Sequence, residues 1–271
     1  MRLGILGGGV IARLILDHVK RGELGDVQPI AIMGRSAASR GRPLADAHGI
    51  AYVTDLQALL ALKPDVVVEA ASHDAVRAFG PALLDAGVSF IVLSCGALAD
   101  DALRKRLENA AAAAGAMLYI PSGGIGGLDA LKAVVAAGCD SAEIAVTKPP
   151  AAWKGITYVE KLGTDLDHLG GPTVLFEGSA REGVPHFPAN VNIAAALSLA
   201  GIGFDRTRLK VVADPALKFN THTISIRGRT GSISIRFESV PFPDNPKTSM
   251  LAAVSALAAL KEFSGKVRYG T

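Results

Sequence analysis

The pattern Gly7-x-Gly9-x-x-Ala12, set directly behind the apolar run Leu3 to Leu6, restricts the fold of this chain more than any other feature. Glycines at that spacing allow a tight turn and let the backbone approach a pyrophosphate. The amphipathic stretch behind them, ending near Lys20, opens a helix whose N–H groups and positive dipole end favour an anion. A bare match of this kind carries little in a chain with 30 glycines. Its place after a strand and before a helix gives it weight. The chain is therefore expected to hold a dinucleotide at Gly7, Gly9, Val10 and Ile11.

The next hundred residues support that frame. Apolar runs at Arg2–Leu6, Gln28–Met33, Asp65–Ala70, Ser89–Ser94 and Ala116–Ile120 alternate with helical periodicity at Ile11–Val19, Leu56–Leu62, Ala75–Ala86 and Ala99–Ala114. Val66-Val67-Val68 and Phe90-Ile91-Val92-Leu93 are apolar on both faces, as parallel strands covered by helices must be. The spacing predicts an α/β, Rossmann-type doubly wound parallel sheet. After the glycine-rich segment Pro121 to Gly127 comes a helix at Leu128–Ala137. A more β-rich region follows, with strands expected at Ala142–Thr147, Thr173–Glu177, Arg208–Val212, Thr221–Arg227 and Gly231–Glu238 and a helix near Asn192–Leu199. The last two strands alternate strictly across Gly228-Arg229-Thr230, which reads as an antiparallel hairpin. Pro241 to Pro246 reads as a linker into a final Ala/Leu-rich helix, Ser249–Phe263. The expected division is a dinucleotide-binding domain at 1–122, a smaller α+β catalytic and dimerisation domain at 123–245, and a C-terminal helix at 246–271 returning to the first domain. That is a dehydrogenase layout, although fold alone does not give a reaction.

Composition narrows the partners. A formal net charge of +3 with no basic run, and 5% aromatic residues, give no footing for nucleic acid. No apolar run reaches the roughly 18 residues of a membrane span, and the strand-and-turn start is not a signal peptide. Two cysteines, Cys95 and Cys139, are too few for a disulfide framework or a zinc site, so no metal is expected and a reducing cytoplasm is.

Cofactor choice is read at the end of the second strand, where NAD-selective folds carry a carboxylate for the ribose 2′-hydroxyl. Here the strand ends Ile32-Met33-Gly34-Arg35-Ser36. Arg35 suits a 2′-phosphate and Ser36 either ribose, so NADP is expected and NAD as well. Ala71, Ser94 and Cys95 follow strand carboxyl ends, positions that face the cofactor in open α/β sheets. Of six histidines, residue chemistry alone selects none. His18, His48, His168 and His186 read as surface or packing residues, His73 as a helix start or ribose neighbour. His222 shares the face of Ile224 and Ile226, where a histidine is usually a packed core residue.

Several segments together resemble the L-aspartate dehydrogenase family. They are Gly7 to Ala12, Pro121 to Asp129, Thr147-Lys148-Pro149-Pro150, Phe187-Pro188-Ala189-Asn190-Val191-Asn192-Ile193-Ala194, Ala213-Asp214-Pro215 with Asn220-Thr221-His222, and Asn245 to Ser249. They run in order from the start of the chain to its last strand. The resemblance implies a dihydrodipicolinate-reductase-like fold and a homodimer. It places the family's catalytic histidine at His222 and cofactor contacts at Asn190 and at Gly124, where the family usually carries alanine. It implies oxidative deamination: L-aspartate, water and NAD(P)+ give oxaloacetate, ammonia and NAD(P)H through iminoaspartate, for which a feed into NAD biosynthesis is one fate. The substrate's two carboxylates call for cations or N–H donors, for which Lys148, Asn192 and the expected helix start Thr248-Ser249 are the candidates. The alternatives are another amino-acid or dihydrodipicolinate-reductase-like oxidoreductase, against which Phe187–Ala194 and Asn220–His222 speak, and a non-catalytic NAD(P)-binding regulator, which leaves His222 and Lys148 without a task.

Overall fold

Six strands of the N-terminal half lie in one parallel sheet in the order β3-β2-β1-β4-β5-β6, the doubly wound order. In the computed structural model, which describes residues 1–188, 191–242 and 245–267 (backbone alone at 241, 242 and 245–248), these are β1 (Arg2–Leu6), β2 (Gln28–Met33), β3 (Ala51–Val53), β4 (Val66–Glu69), β5 (Ser89–Val92) and β6 (Leu118–Tyr119). Between them run α1 (Val10–Lys20), α2 (Gly41–Ala47), α3 (Leu56–Ala61), α4 (His73–Asp85) and α5 (Asp101–Ala114). The expected fold class is the one observed.

Local chemistry explains the elements. All four residues of β4 are buried, the mark of a strand covered on both faces. Ser72 caps α4 and Asp100 caps α5 by accepting first-turn N–H bonds. Gly80 lets α4 approach its neighbours, because a Cβ there would stand 2.8 Å from Leu107 and 3.0 Å from Phe90. In this first sheet and its helices, β3 and α2 escaped the sequence pattern. The edge strand β3 is three residues long, too short for an alternation to register. In α2 only Gly41 and Ala45 are buried, so it carries no apolar stripe, and Gly41 and Pro43 weaken its propensity.

The described residues form two compact units, one of 1–121 with 253–267 and one of 122–252. In the first, Ala256, Leu257, Ala259 and Leu260 of the last helix share a core with Leu3, Ile5, Ile15 and Leu16. Tyr119 donates to Glu262 and packs edge-on against Phe263.

The second unit is built on α6 (Leu128–Ala137), β7 (Cys139–Lys148), α7 (Thr157–Lys161), β8 (Thr173–Ser179), α8 (Ala180–Gly183), α9 (Asn192–Ala200), β9 (Thr207–Ala213), β10 (Asn220–Gly228) and β11 (Gly231–Ser239). Its five strands are ordered β11-β10-β7-β9-β8, with β7 in the middle, parallel to β9 and antiparallel to β10. One face is apolar: Ala142, Ile144 and Val146 of β7, Leu209 and Val211 of β9, and Ile224 and Ile226 of β10 are all buried. Helices α6 and α9 cover it. The hairpin of β10 and β11 turns at Arg229-Thr230, with Gly228 paired to Gly231.

Two expectations need correction here. The segment taken as a linker is instead part of a small antiparallel ladder, β12 (Pro241–Phe242) against β13 (Asn245–Ser249), with Pro243 and Asp244 outside the described residues. Prolines at strand edges are compatible with such a ladder, which is why Pro241 and Pro246 misled the reading. Thr248 and Ser249 accordingly end a strand, and α10 (Met250–Ser264) starts after them.

Candidate active site

Three consecutive glycines shape the turn between β1 and α1, each for a different reason. Gly7 has φ +98°, and a Cβ on it would stand 2.6 Å from the carbonyl oxygen of Ala70. Gly8 lies against α2, where a Cβ would come 2.1 Å from the Cα of Gly41. Gly9 meets nothing within 4 Å. It is the N-cap of α1, and no side chain caps that helix. The first-turn amides of Val10 and Ile11 therefore keep donors that the helix itself cannot satisfy. Tight backbone packing beneath, open space above and unspent donors fit a pyrophosphate.

Beyond β2, Arg35 and Ser36 are exposed, in a loop held by the Tyr52 hydroxyl donating to the Ser36 carbonyl at 2.6 Å. Gly34 is needed where Tyr52 crosses, since a Cβ would sit 2.0 Å from its hydroxyl oxygen. Arg40 and Arg42 are also exposed, and residues 34–42 contain no carboxylate. Its three arginines and lack of a carboxylate suit a 2′-phosphate.

At the ends of β4 and β5 the organising residue is one that the sequence reading passed over. Glu69 is fully buried. Its Oε1 accepts the Ala71 N–H at 2.7 Å and the Ser94 hydroxyl at 2.9 Å, and its Oε2 accepts the Ser94 N–H at 2.8 Å. Both donors of Ser94 are thus committed, leaving its hydroxyl oxygen to accept. Cys95 behind it is buried. The signal for Glu69 was a charge closing the otherwise apolar run Val66-Val67-Val68.

In the second unit His222 stands on β10, only 3% exposed, on the apolar face with Ile224 and Ile226. Its Nδ1 is buried and has no hydrogen-bond partner among the described residues. Burial, reinforced by the nearby Lys148 cation, pushes its pKa down to about 3, so the ring is a neutral base at any working pH. Lys148 ends β7 on the same face and is 5% exposed. Burial lowers its pKa to about 8, and its ammonium lies 5.1 Å from the ring centroid of Trp153. Trp153, the chain's one tryptophan and unremarked in its sequence, is fixed by donating to the Val212 carbonyl at 3.0 Å.

The glycine-rich segment packs at the same end of this sheet. A Cβ on Gly126 would touch Phe237, the residue paired with His222 across the hairpin. A Cβ on Gly124 would lie 3.4 Å from Ile193 and 3.7 Å from the Ser249 hydroxyl, which is buried and without a partner among the described residues. Asn192 opens α9. Asn190 falls outside the described residues, and Thr248 is placed by backbone alone. The other histidines have local tasks. His18 pairs with Glu23, His168 with Asp165, and His186 stacks on Tyr158, while His48 lies 3.8 Å from Asp17 and His73 opens α4.

Residues 7–121 match a family model described as homoserine dehydrogenase, NAD binding domain, and residues 129–263 match aspartate dehydrogenase, C-terminal. Fold and site thus define an NAD(P)-dependent dehydrogenase of two units. The L-aspartate dehydrogenase of Methanosarcina acetivorans is 42% identical over 272 residues, covering 100% of both chains. The L-aspartate dehydrogenase 2 of Bordetella pertussis is 42% identical over 99% of both. The crystal structure of aspartate dehydrogenase from Thermotoga maritima superposes with a TM-score of 0.77 at 29% identity, over 100% of this chain and 99% of that one. The chain belongs to the L-aspartate dehydrogenase family.

Proposed function

We propose that this protein catalyses the oxidative deamination of L-aspartate, in which L-aspartate, water and NAD(P)+ give oxaloacetate, ammonium, NAD(P)H and a proton through iminoaspartate. The observation that carries the reading is a buried, neutral imidazole with an unpartnered Nδ1 beside a buried cation. Buried polar atoms are almost always satisfied, so an orphan next to a charge is a place made for a ligand.

Gly7, Gly9 and the Val10 and Ile11 amides hold the pyrophosphate in this reading, and Arg35 and Ser36 bind the adenosine ribose or its 2′-phosphate. Ala71, Ser94 and Cys95 line the cofactor's other half, and the family resemblance adds Gly124 and Asn190. Bound NAD(P)+ supplies the acceptor for the hydride that leaves the α-carbon. Lys148 pairs with a substrate carboxylate, with Asn192, Thr248 and Ser249 as the further donors. His222 takes a proton at Nδ1 from the water that adds to the imine carbon, and a substrate carboxylate paired with Lys148 offsets the cation that otherwise disfavours protonation there. Iminoaspartate that leaves before water adds would be available to NAD biosynthesis.

The test is NAD(P)H formation with L-aspartate against a panel of D-aspartate, L-glutamate, L-homoserine and L-alanine. Turnover confined to L-aspartate supports the reading, and preference for another member overturns it. The same reading includes a homodimer, checked by light scattering, and residence in the cytoplasm, with which two free cysteines agree.

A further inference from the structure

Among the described residues Glu69 is the one fully buried carboxylate, and the reading above gives it no task. It stands in register with Leu6 of β1, one residue before the phosphate turn. Every group it meets is a donor: the Ala71 N–H, the Ser94 N–H and the Ser94 hydroxyl, with the Ser72 N–H contributing as well. These donors belong to the two loops leaving the carboxyl ends of β4 and β5, the half of a doubly wound sheet that takes the nicotinamide mononucleotide. Burial raises its pKa and outweighs the converging donors, which favour the anion, so the charge is costly to keep until a cation comes near. No cationic side chain among the described residues pairs with it.

A buried charge without a counter-ion is expensive and is seldom kept where a neutral side chain would serve. Neutral alternatives exist for joining two loops. The charge itself therefore calls for an explanation, and the cofactor provides one: the oxidised nicotinamide ring carries a positive charge, and the reduced ring carries none. We propose that Glu69 is a positioning residue for the cofactor, its carboxylate setting the two loops and its negative charge favouring the oxidised nicotinamide over the reduced one. This rests on the dinucleotide reading of the first unit.

The experiment measures dissociation constants for NAD(P)+ and NAD(P)H by calorimetry on the full chain, with no turnover required. In Glu69→Gln, affinity for the oxidised form should fall about tenfold more than affinity for the reduced form. Glu69→Asp, which keeps the charge, should preserve the ratio of the two constants while weakening both. Equal losses for the two forms in Glu69→Gln, or no loss, would overturn the proposal and leave Glu69 a loop tie. Should Glu69→Gln not fold, Glu69→Ser, whose space admits water to the same N–H groups, is read by the same ratio. Binding of neither form by the unaltered protein would overturn the dinucleotide reading and this inference together, whereas an unchanged ratio overturns this inference alone.

Discussion

Lys148 and His222 stand on the same face of the second sheet. His222 is paired across the β7–β10 ladder with Val146, and Lys148 lies two residues further along β7 on the same side. Burial, with the ammonium adding to it, holds the imidazole neutral, and burial weakens the hold of Lys148 on its own proton. A dicarboxylate arriving there would restore that hold, so substrate binding and the charge of Lys148 are linked.

The first prediction follows from that linkage. With its pKa at about 8, Lys148 is a cation below that value and loses its charge above it. Succinate, whose carboxylates stay ionised above pH 6, should bind well below pH 8 and lose affinity up to tenfold per pH unit above it. Lys148→Arg should make the affinity independent of pH from 7 to 10, because a guanidinium keeps its proton. A flat profile in the unaltered protein would remove Lys148 from the carboxylate site.

His222→Asn should lower kcat by roughly 10²–10⁴-fold, the usual worth of a positioned acid or base. Dissociation constants for NAD(P)+ should hardly move. Because the ring is buried, a loss of melting temperature alone would not separate a catalytic histidine from a packing one, and the comparison of kcat with cofactor affinity does. A near-normal kcat would return His222 to the core.

Stability carries its own sign. The folded pKa of His222, about 3, lies below the ordinary 6.5, so the neutral ring contributes stability in full above pH 6.5. That contribution is lost as pH falls from 6.5 toward 3. The unaltered protein should therefore lose more melting temperature between pH 7.5 and 5 than His222→Asn does. Parallel curves would contradict the buried, neutral assignment.

The three glycines of the turn should separate on substitution. Gly9→Val fills open space, so the melting temperature should stay within a few degrees while cofactor affinity drops at least tenfold. Gly8→Ala drives a methyl into the backbone at Gly41, and Gly7→Ala adds a left-handed φ to a clash with Ala70, so both should lower the melting temperature markedly. Thermal unfolding and cofactor titration on the three variants decide this.

Arg35→Asp should shift the ratio of kcat/KM for NADP over NAD toward NAD by about tenfold, since a carboxylate repels the 2′-phosphate and accepts from a 2′-hydroxyl. Arg40 and Arg42 remain, so discrimination should be reduced rather than inverted. An unmoved ratio would make Arg35 a solvated loop residue.

What the sequence made legible was whatever repeats or alternates. Buried strands such as Val66–Glu69 and the alternating pair β10 and β11 announce themselves through period and apolarity, and the phosphate turn through its glycines. Elements below one period, such as β3, and elements without a stripe, such as α2, did not. The ladder at Pro241 to Ser249 was hidden because proline reads as a breaker whether it ends a strand or borders one. In the site, His222 entered through family resemblance, since its neutrality comes from burial in the folded sheet and from a lysine 74 positions away on another strand. Glu69 and Trp153 were missed for the same reason: their meaning lies in what folds around them.

The last helix has a consequence for how this protein comes into being. Residues Ala256 to Leu260 fill the core beneath β1, so the nucleotide-binding unit is completed by polypeptide made after the whole of the second unit. During synthesis the second unit, continuous from Ser122, has all its parts first, while a half-finished sheet with bare apolar faces waits for its final helix. A transcript cut short after β13 would therefore damage the half of the protein that was translated earlier, and a chaperone holding that nascent sheet would have to do so until α10 has been made.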